Sequence, residues 1–283
     1  MRKIGLGLLA VFLGIGAAFA APKVDDSKDW RDVDPANLVL MDVRYGTIAI
    51  ELDPQFAPAN VARFKALVRA GFYDNTSFYR VIDGFVAQGG KGGESFKQWP
   101  TIKGEMDRPA GGLDFTPLGA PDLYAPQVGN VDGFPVGEEK GRAWILHCPG
   151  TIAFARDKTA DSAATEFYIV LGEGARQLDR NYTAFGRVID GMQYVQKLNR
   201  GDVDVDNGVI PLVSRRDPII RVRMASDVPP IQRPHYQVLR TDTARFAAAK
   251  DARMHPNSPY LVRKPPAALD VCTMPIPVRT VAH

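Results

Sequence analysis

Three features of the 283-residue sequence predict a mainly β fold. Short apolar runs alternate with breaks rich in glycine and proline along most of the chain, as half-buried strands do. Only two segments within this run of strands carry a clear helical stripe. Unpaired strand edges are a liability in so strand-rich a chain, which favours closure into an antiparallel barrel; on pattern alone, two stacked sheets serve equally well.

Leu38 to Leu52 alternates across two strands with a turn near Tyr45-Gly46. Pro58 opens a helix, where its missing N–H costs nothing; Val61, Phe64, Leu67 and Val68 form the stripe and Gly71 suits the C-terminal cap. Phe78 to Gly90 reads as two short strands broken at Asp83-Gly84. Two more strands follow at Gly150–Ala155 and Glu166–Val170, and another at Tyr182–Ile189. Gly191 to Asn199 predicts a short helix burying Met192, Val195 and Leu198. Ile220, Val222 and Met224, alternating with Arg221 and Arg223, predict the last strand.

Two stretches stand outside this scheme. Residues 94–149 are rich in glycine and proline with little periodicity, and are expected to be long surface loops. Residues 228–283 hold eight Lys/Arg against three Asp, with nine prolines and one helical segment near Thr241–Arg253. They are expected to wrap the main domain as an extension, with a partner-binding arm as the other reading. The chain thus divides into residues 1–20, a linker at 21–36, a domain at 37–227 and the extension at 228–283.

Arg2-Lys3, the apolar run from Ile4 to Ala17 and Ala18-Phe19-Ala20 have the order of a secretory signal peptide cleaved after Ala20. The run is too short for a comfortable membrane span, so the mature chain is expected to be exported, and periplasmic in a Gram-negative source. Cleavage removes two charges from a formal +3, and no basic field remains to attract nucleic acid. In an oxidising compartment Cys148 and Cys272, the two cysteines, can bridge; a lone buried Cys148 is the alternative. His147-Cys148 is the one adjacent ligand pair, and His235, His255 and His283 are scattered, so no metal and no cofactor is expected. Gly89-Gly90-Lys91-Gly92-Gly93 lacks the ending of a phosphate loop.

The most informative segment is Phe78-Tyr79-Arg80-Val81-Ile82-Asp83-Gly84-Phe85-Val86-Ala87-Gln88-Gly89-Gly90. A lone guanidinium among apolar neighbours needs an acceptor. The segment resembles the active-site stretch of the cyclophilin family of peptidyl-prolyl isomerases. Phe154-Ala155-Arg156 with Thr165-Glu166-Phe167-Tyr168-Ile169, and Leu178 to Val188, are similar to two further motifs of that family in the same order. The resemblance covers about Asn37 to Ser226. It implies a closed eight-stranded antiparallel barrel with a helix over each open end, which decides between barrel and sandwich.

It also implies roles. Arg80 would be the catalytic arginine and Gln88 its polar partner. Phe85, Val86, Tyr168 and Leu178 would line the proline pocket, Ala155 and the Arg156 backbone the adjacent groove, and Tyr182 its rim. Four positions depart from the common pattern: Glu166, expected to contact substrate, replaces a frequent Gln, Tyr168 a Phe, and Lys91 an acidic residue. Gln177 stands for the Trp that helps bind ciclosporin. The implied function is isomerisation of X-Pro bonds in folding exported proteins, with proline-containing segments as partners and an envelope partner for the extension. The alternative is a peptide-binding module or chaperone on the same fold.

Overall fold

The computed structural model describes residues 26–91 and 98–281; the expected signal peptide lies outside them. In chain order the strands are β1 (Trp30–Asp32), β2 (Leu38–Val43), β3 (Gly46–Leu52), β4 (Thr76–Val81), β5 (Val86–Gly90), β6 (Arg108–Pro109), β7 (Thr116–Pro117) and β8 (Gln127–Val131). They continue with β9 (Phe134–Glu139), β10 (Arg142–Ile145), β11 (Thr151–Phe154), β12 (Phe167–Val170), β13 (Ala184–Asp190), β14 (Asp217–Met224), β15 (His235–Leu239) and β16 (Val278–Val281). The helices are α1 (Pro58–Arg69), α2 (Met192–Val195), α3 (Val203–Asp206) and α4 (Ala244–Met254).

Eight strands close into a barrel in the order β11-β12-β5-β4-β14-β2-β3-β13, as the resemblance implies. Its interior takes the alternate residues of each strand: Ala87, Phe167, Ile169, Ile152, Phe154 and Phe185 point inward. α1 lays Val61, Phe64, Leu67 and Val68 against them. Phe64 is the hub, with ring centroids of Tyr73, Phe154, Phe167 and Phe185 at 5.3, 6.1, 5.9 and 5.0 Å. The second expected helix is a single turn; it buries Val195, with Leu198 just after it, while Met192 is only partly covered.

The last barrel strand buries Val222 and Met224 as expected but departs at its start. A register shift between Ile219 and Arg221 lets Ile219 take the inward position and leaves Ile220 47% exposed. An inserted residue reverses the side-chain alternation that simple pattern reading assumes.

The insertion also differs from the loops expected. Among the described residues it forms a five-stranded sheet, β6-β10-β9-β8-β7, whose outermost strands end on Pro109 and Pro117, as edges tolerate. Its Val131, Phe134, Val136, Ala143 and Ile145 cluster with Val86, Ala153, Tyr168 and Val170 on the outer face of the barrel. Every residue of β11 and β12 is therefore buried.

The extension wraps the molecule. β15 pairs with β1 from the linker and with β16 from the far end of the chain. α4 is capped by Thr243, whose side chain accepts from the Phe246 N–H. Phe246, Leu269, Val271 and Met274 pack with Trp144, Leu146 and Cys148. Cys148 and Cys272 form a disulfide, the bridged of the two readings of these cysteines.

Candidate active site

Strand pairing sets the site. Arg80 of β4 stands opposite Gln88 of β5, Gln88 opposite Tyr168 of β12, and Tyr168 opposite Ala153 of β11. The row lies on the outer face, because its neighbours Val81, Ala87, Phe167 and Ile169 fill the interior. A register shift between Phe78 and Arg80 sets both Tyr79 and Arg80 against one partner, as bulges beside functional sites do.

The polar contacts follow from that shift. Arg80 Nε donates to the Asn207 carbonyl at 2.8 Å, and Nη1 donates to Gln88 Oε1 at 3.2 Å. Gln88 Nε2 in turn donates to Tyr79 Oη at 2.7 Å. Asn207, at φ 51°, ends α3 in the left-handed region and aims its carbonyl back at β4. Burial first, then the nearby Glu166 charge, pushes the Tyr79 phenol above its ordinary range, so it keeps its proton at neutral pH. The guanidinium plane is thus fixed from two sides. Tyr79 and Asn207 were not foreseen: Tyr79 lay inside the informative segment, but Asn207 comes from a distant turn with no motif of its own.

Beside this row opens a groove of about 240 Å³, lined by Tyr79, Gln88, Ala155, Arg156, Ser162 and Glu166. Glu166 Oε1 accepts the Lys91 N–H at 3.1 Å. Gly90, at φ 141°, holds a backbone conformation that residues with a Cβ rarely adopt, and a Cβ there would also push that carboxylate aside. Lys91 turns its ammonium over the Phe72 ring, 4.6 Å from the centroid. The Arg156 side chain adds more than the expected backbone: its Nε donates to the Asn181 carbonyl at 2.9 Å, and its guanidinium stacks 4.3 Å above the Tyr182 ring.

The apolar residues gather on the other side of the row. Val86 and Tyr168 are nearly covered, while Phe85, Ala155, Leu178 and Tyr182 are partly exposed at the edge of the same cluster. Tyr168 meets Tyr182 edge-on at 5.9 Å. Gln177 is exposed beside Leu178 on the turn Glu173–Leu178. Burial holds the Tyr168 phenol well above its ordinary pKa, and its oxygen lies 2.9 Å from His147 Nε2. All ten expected site residues therefore fall in one continuous patch, with Arg80 and Gln88 between a polar groove and an apolar wall. Such a patch can hold an extended peptide, grip an apolar ring and place a cation over the bond between.

The family described as "Cyclophilin type peptidyl-prolyl cis-trans isomerase/CLD" matches residues 38–224. A "Probable peptidyl-prolyl cis-trans isomerase" of Brucella suis is 32% identical over 217 residues, 75% of this chain and 94% of its own. Peptidyl-prolyl cis-trans isomerase A of Dickeya dadantii is 31% identical over 169 residues, 57% of this chain and 70% of its own. The crystal structure of a cyclophilin from Hirschia baltica superposes with a TM-score of 0.73 at 28% identity, over 90% of this chain and 94% of that one. That coverage extends well beyond the barrel.

Proposed function

This chain belongs to the cyclophilin-type peptidyl-prolyl cis-trans isomerase family, and we propose that it turns X-Pro bonds of folding exported proteins in the groove headed by Arg80. It is a peptidyl-prolyl isomerase. The observation that carries the site reading is the fixed Arg80 guanidinium, held by the Asn207 carbonyl and Gln88 at the boundary between groove and apolar wall.

An X-Pro bond isomerises over tens to hundreds of seconds unaided, against a barrier of about 20 kcal/mol. The barrier is amide resonance, lost when the C–N bond twists. A guanidinium beside the prolyl nitrogen can hydrogen-bond its lone pair only once twisting has localised it. That contact is stronger in the transition state than in either planar form, as rate acceleration requires. Phe85, Val86, Tyr168 and Leu178 hold the proline ring, Tyr182 and Arg156 rim it, and Gln88 orients the preceding carbonyl while it rotates. About 7 kcal/mol gained in this way corresponds to roughly 10⁵-fold.

Two observations support an exported setting. The N-terminus has the order of a signal peptide, and the Cys148–Cys272 disulfide suits an oxidising compartment. No helix of the described residues is long and apolar enough to cross a membrane. A protease-coupled assay on a proline peptide tests the reaction, and a purified protein that gives no acceleration over buffer overturns it. N-terminal sequencing of the protein from the envelope fraction tests the setting. A chain starting at Ala21 is expected, and an intact Met1 in the cytosol contradicts it.

A further inference from the structure

Behind the apolar wall runs a buried polar chain that the isomerisation chemistry does not use. His147, fully buried, faces Tyr168 Oη through Nε2 at 2.9 Å. Its Nδ1 lies 3.1 Å from Asp179 Oδ1, and its backbone N–H donates to the same oxygen at 2.7 Å. Asp179 Oδ2 accepts from Arg176 Nε at 2.8 Å. Arg176, 3% exposed, then grips Asp122 with Nη2 at 2.8 Å and Nη1 at 3.1 Å. Asp122 Oδ1 also accepts the N–H groups of Tyr124 and Ala125, which fixes the far end to the insertion.

A carboxylate can only accept, so the Nδ1–H points to Asp179 and Nε2 faces the Tyr168 hydroxyl, with which it shares a hydrogen bond. The Arg176 guanidinium and its two carboxylates mutually satisfy one another, so Asp179 stays put and the imidazole cannot rotate. A phenylalanine at 168 would be held by packing alone. The tyrosine adds a directional tether that fixes the tilt and depth of the ring at the base of the apolar wall.

We propose that His147, locked by Asp179, Arg176 and Asp122, is a positioning residue that sets the fit of the proline pocket through Tyr168. The proposal rests on reading Tyr168 as the floor of that pocket. It implies that the hydroxyl, turned away from substrate, acts on binding of the proline ring rather than on the twisting step.

The test is steady-state kcat and KM on one proline peptide for wild type, Tyr168→Phe, His147→Leu and the double variant. Each single change cuts the same tether, so each should raise KM about fivefold with kcat within about twofold. The double variant should be no worse than the weaker single, because the tether can be lost only once. A His147→Leu protein with wild-type KM overturns the proposal, as does a double variant whose loss is the product of the two. If His147→Leu does not fold, Tyr168→Phe decides alone: a KM within about twofold of wild type overturns the tether. Tyr168→Ala separates the two readings. Unchanged kinetics there removes Tyr168 from the site and the proposal with it. A raised KM in Tyr168→Ala with wild-type kinetics in Tyr168→Phe overturns the tether only.

Discussion

Cys148, buried just before β11, is bridged to Cys272 in the extension across 124 residues of sequence. The bond fastens the extension beside the apolar cluster of Trp144, Leu146 and Phe246.

In the chain-entropy view, closing so long a loop stabilises the fold by about 5 kcal/mol. The double variant Cys148→Ala, Cys272→Ala should therefore unfold at a clearly lower urea concentration than the oxidised protein. Equal midpoints would show that the extension docks by packing alone.

Asp53 offers a pH signature. It is 4% exposed, and burial above all, with the Glu51 and Asp132 charges, pushes its carboxyl up to about 6. The Gln55 N–H, 2.8 Å from Oδ1, pulls the other way and is outweighed. The folded chain keeps this proton to about pH 6, whereas the unfolded chain releases it near 3.8. The group's contribution to stability thus falls as pH rises through that window, and the full penalty stands above it. Asp53→Asn keeps the acceptor for Gln55 and removes the charge. It should stabilise the protein by about 3 kcal/mol at neutral pH and leave the most acidic end of the curve unchanged. A neutral-pH stability equal to wild type would contradict the shift.

Gln177 should limit drug binding. It is exposed beside Leu178 and supplies neither an indole N–H nor an aromatic face. Gln177→Trp should tighten ciclosporin binding about tenfold in a calorimetric titration. Tight binding by the wild type would show that the remaining contacts suffice.

What the sequence disclosed and what it hid have separate physical causes. The barrel strands, α1 and the Arg80 segment are local patterns: side-chain alternation, a helical stripe, a run of thirteen residues. The sheet within 108–145 was hidden because its strands are short and carry Pro109, Pro117, Gly129, Pro135 and Gly137, which read as breaks. Its stability comes from packing on the outer face of β5, β11 and β12, a relationship no local window contains. Along β14 the alternation holds for Val222 and Met224, but one bulge sends Ile220 outward. In the sequence His147 stands out only as a neighbour of Cys148, since its contact with Tyr168 of β12 is made across 21 residues in the folded chain. The three-stranded sheet of β1, β15 and β16 likewise joins segments some two hundred residues apart, as Trp30 opposite Leu239 shows.

Arg80 carries the central claim, and its substitution is the most direct measurement. It sits on the outer face of β4 with contacts to Asn207 and Gln88, so removing its side chain should leave the barrel folded by circular dichroism. In the protease-coupled assay, Arg80→Ala should lower kcat/KM by about 10²–10³-fold. Arg80→Lys, which keeps the charge but not the planar fork, should recover little of it. A folded Arg80→Ala protein that isomerises proline peptides at near-wild-type rate would contradict the account.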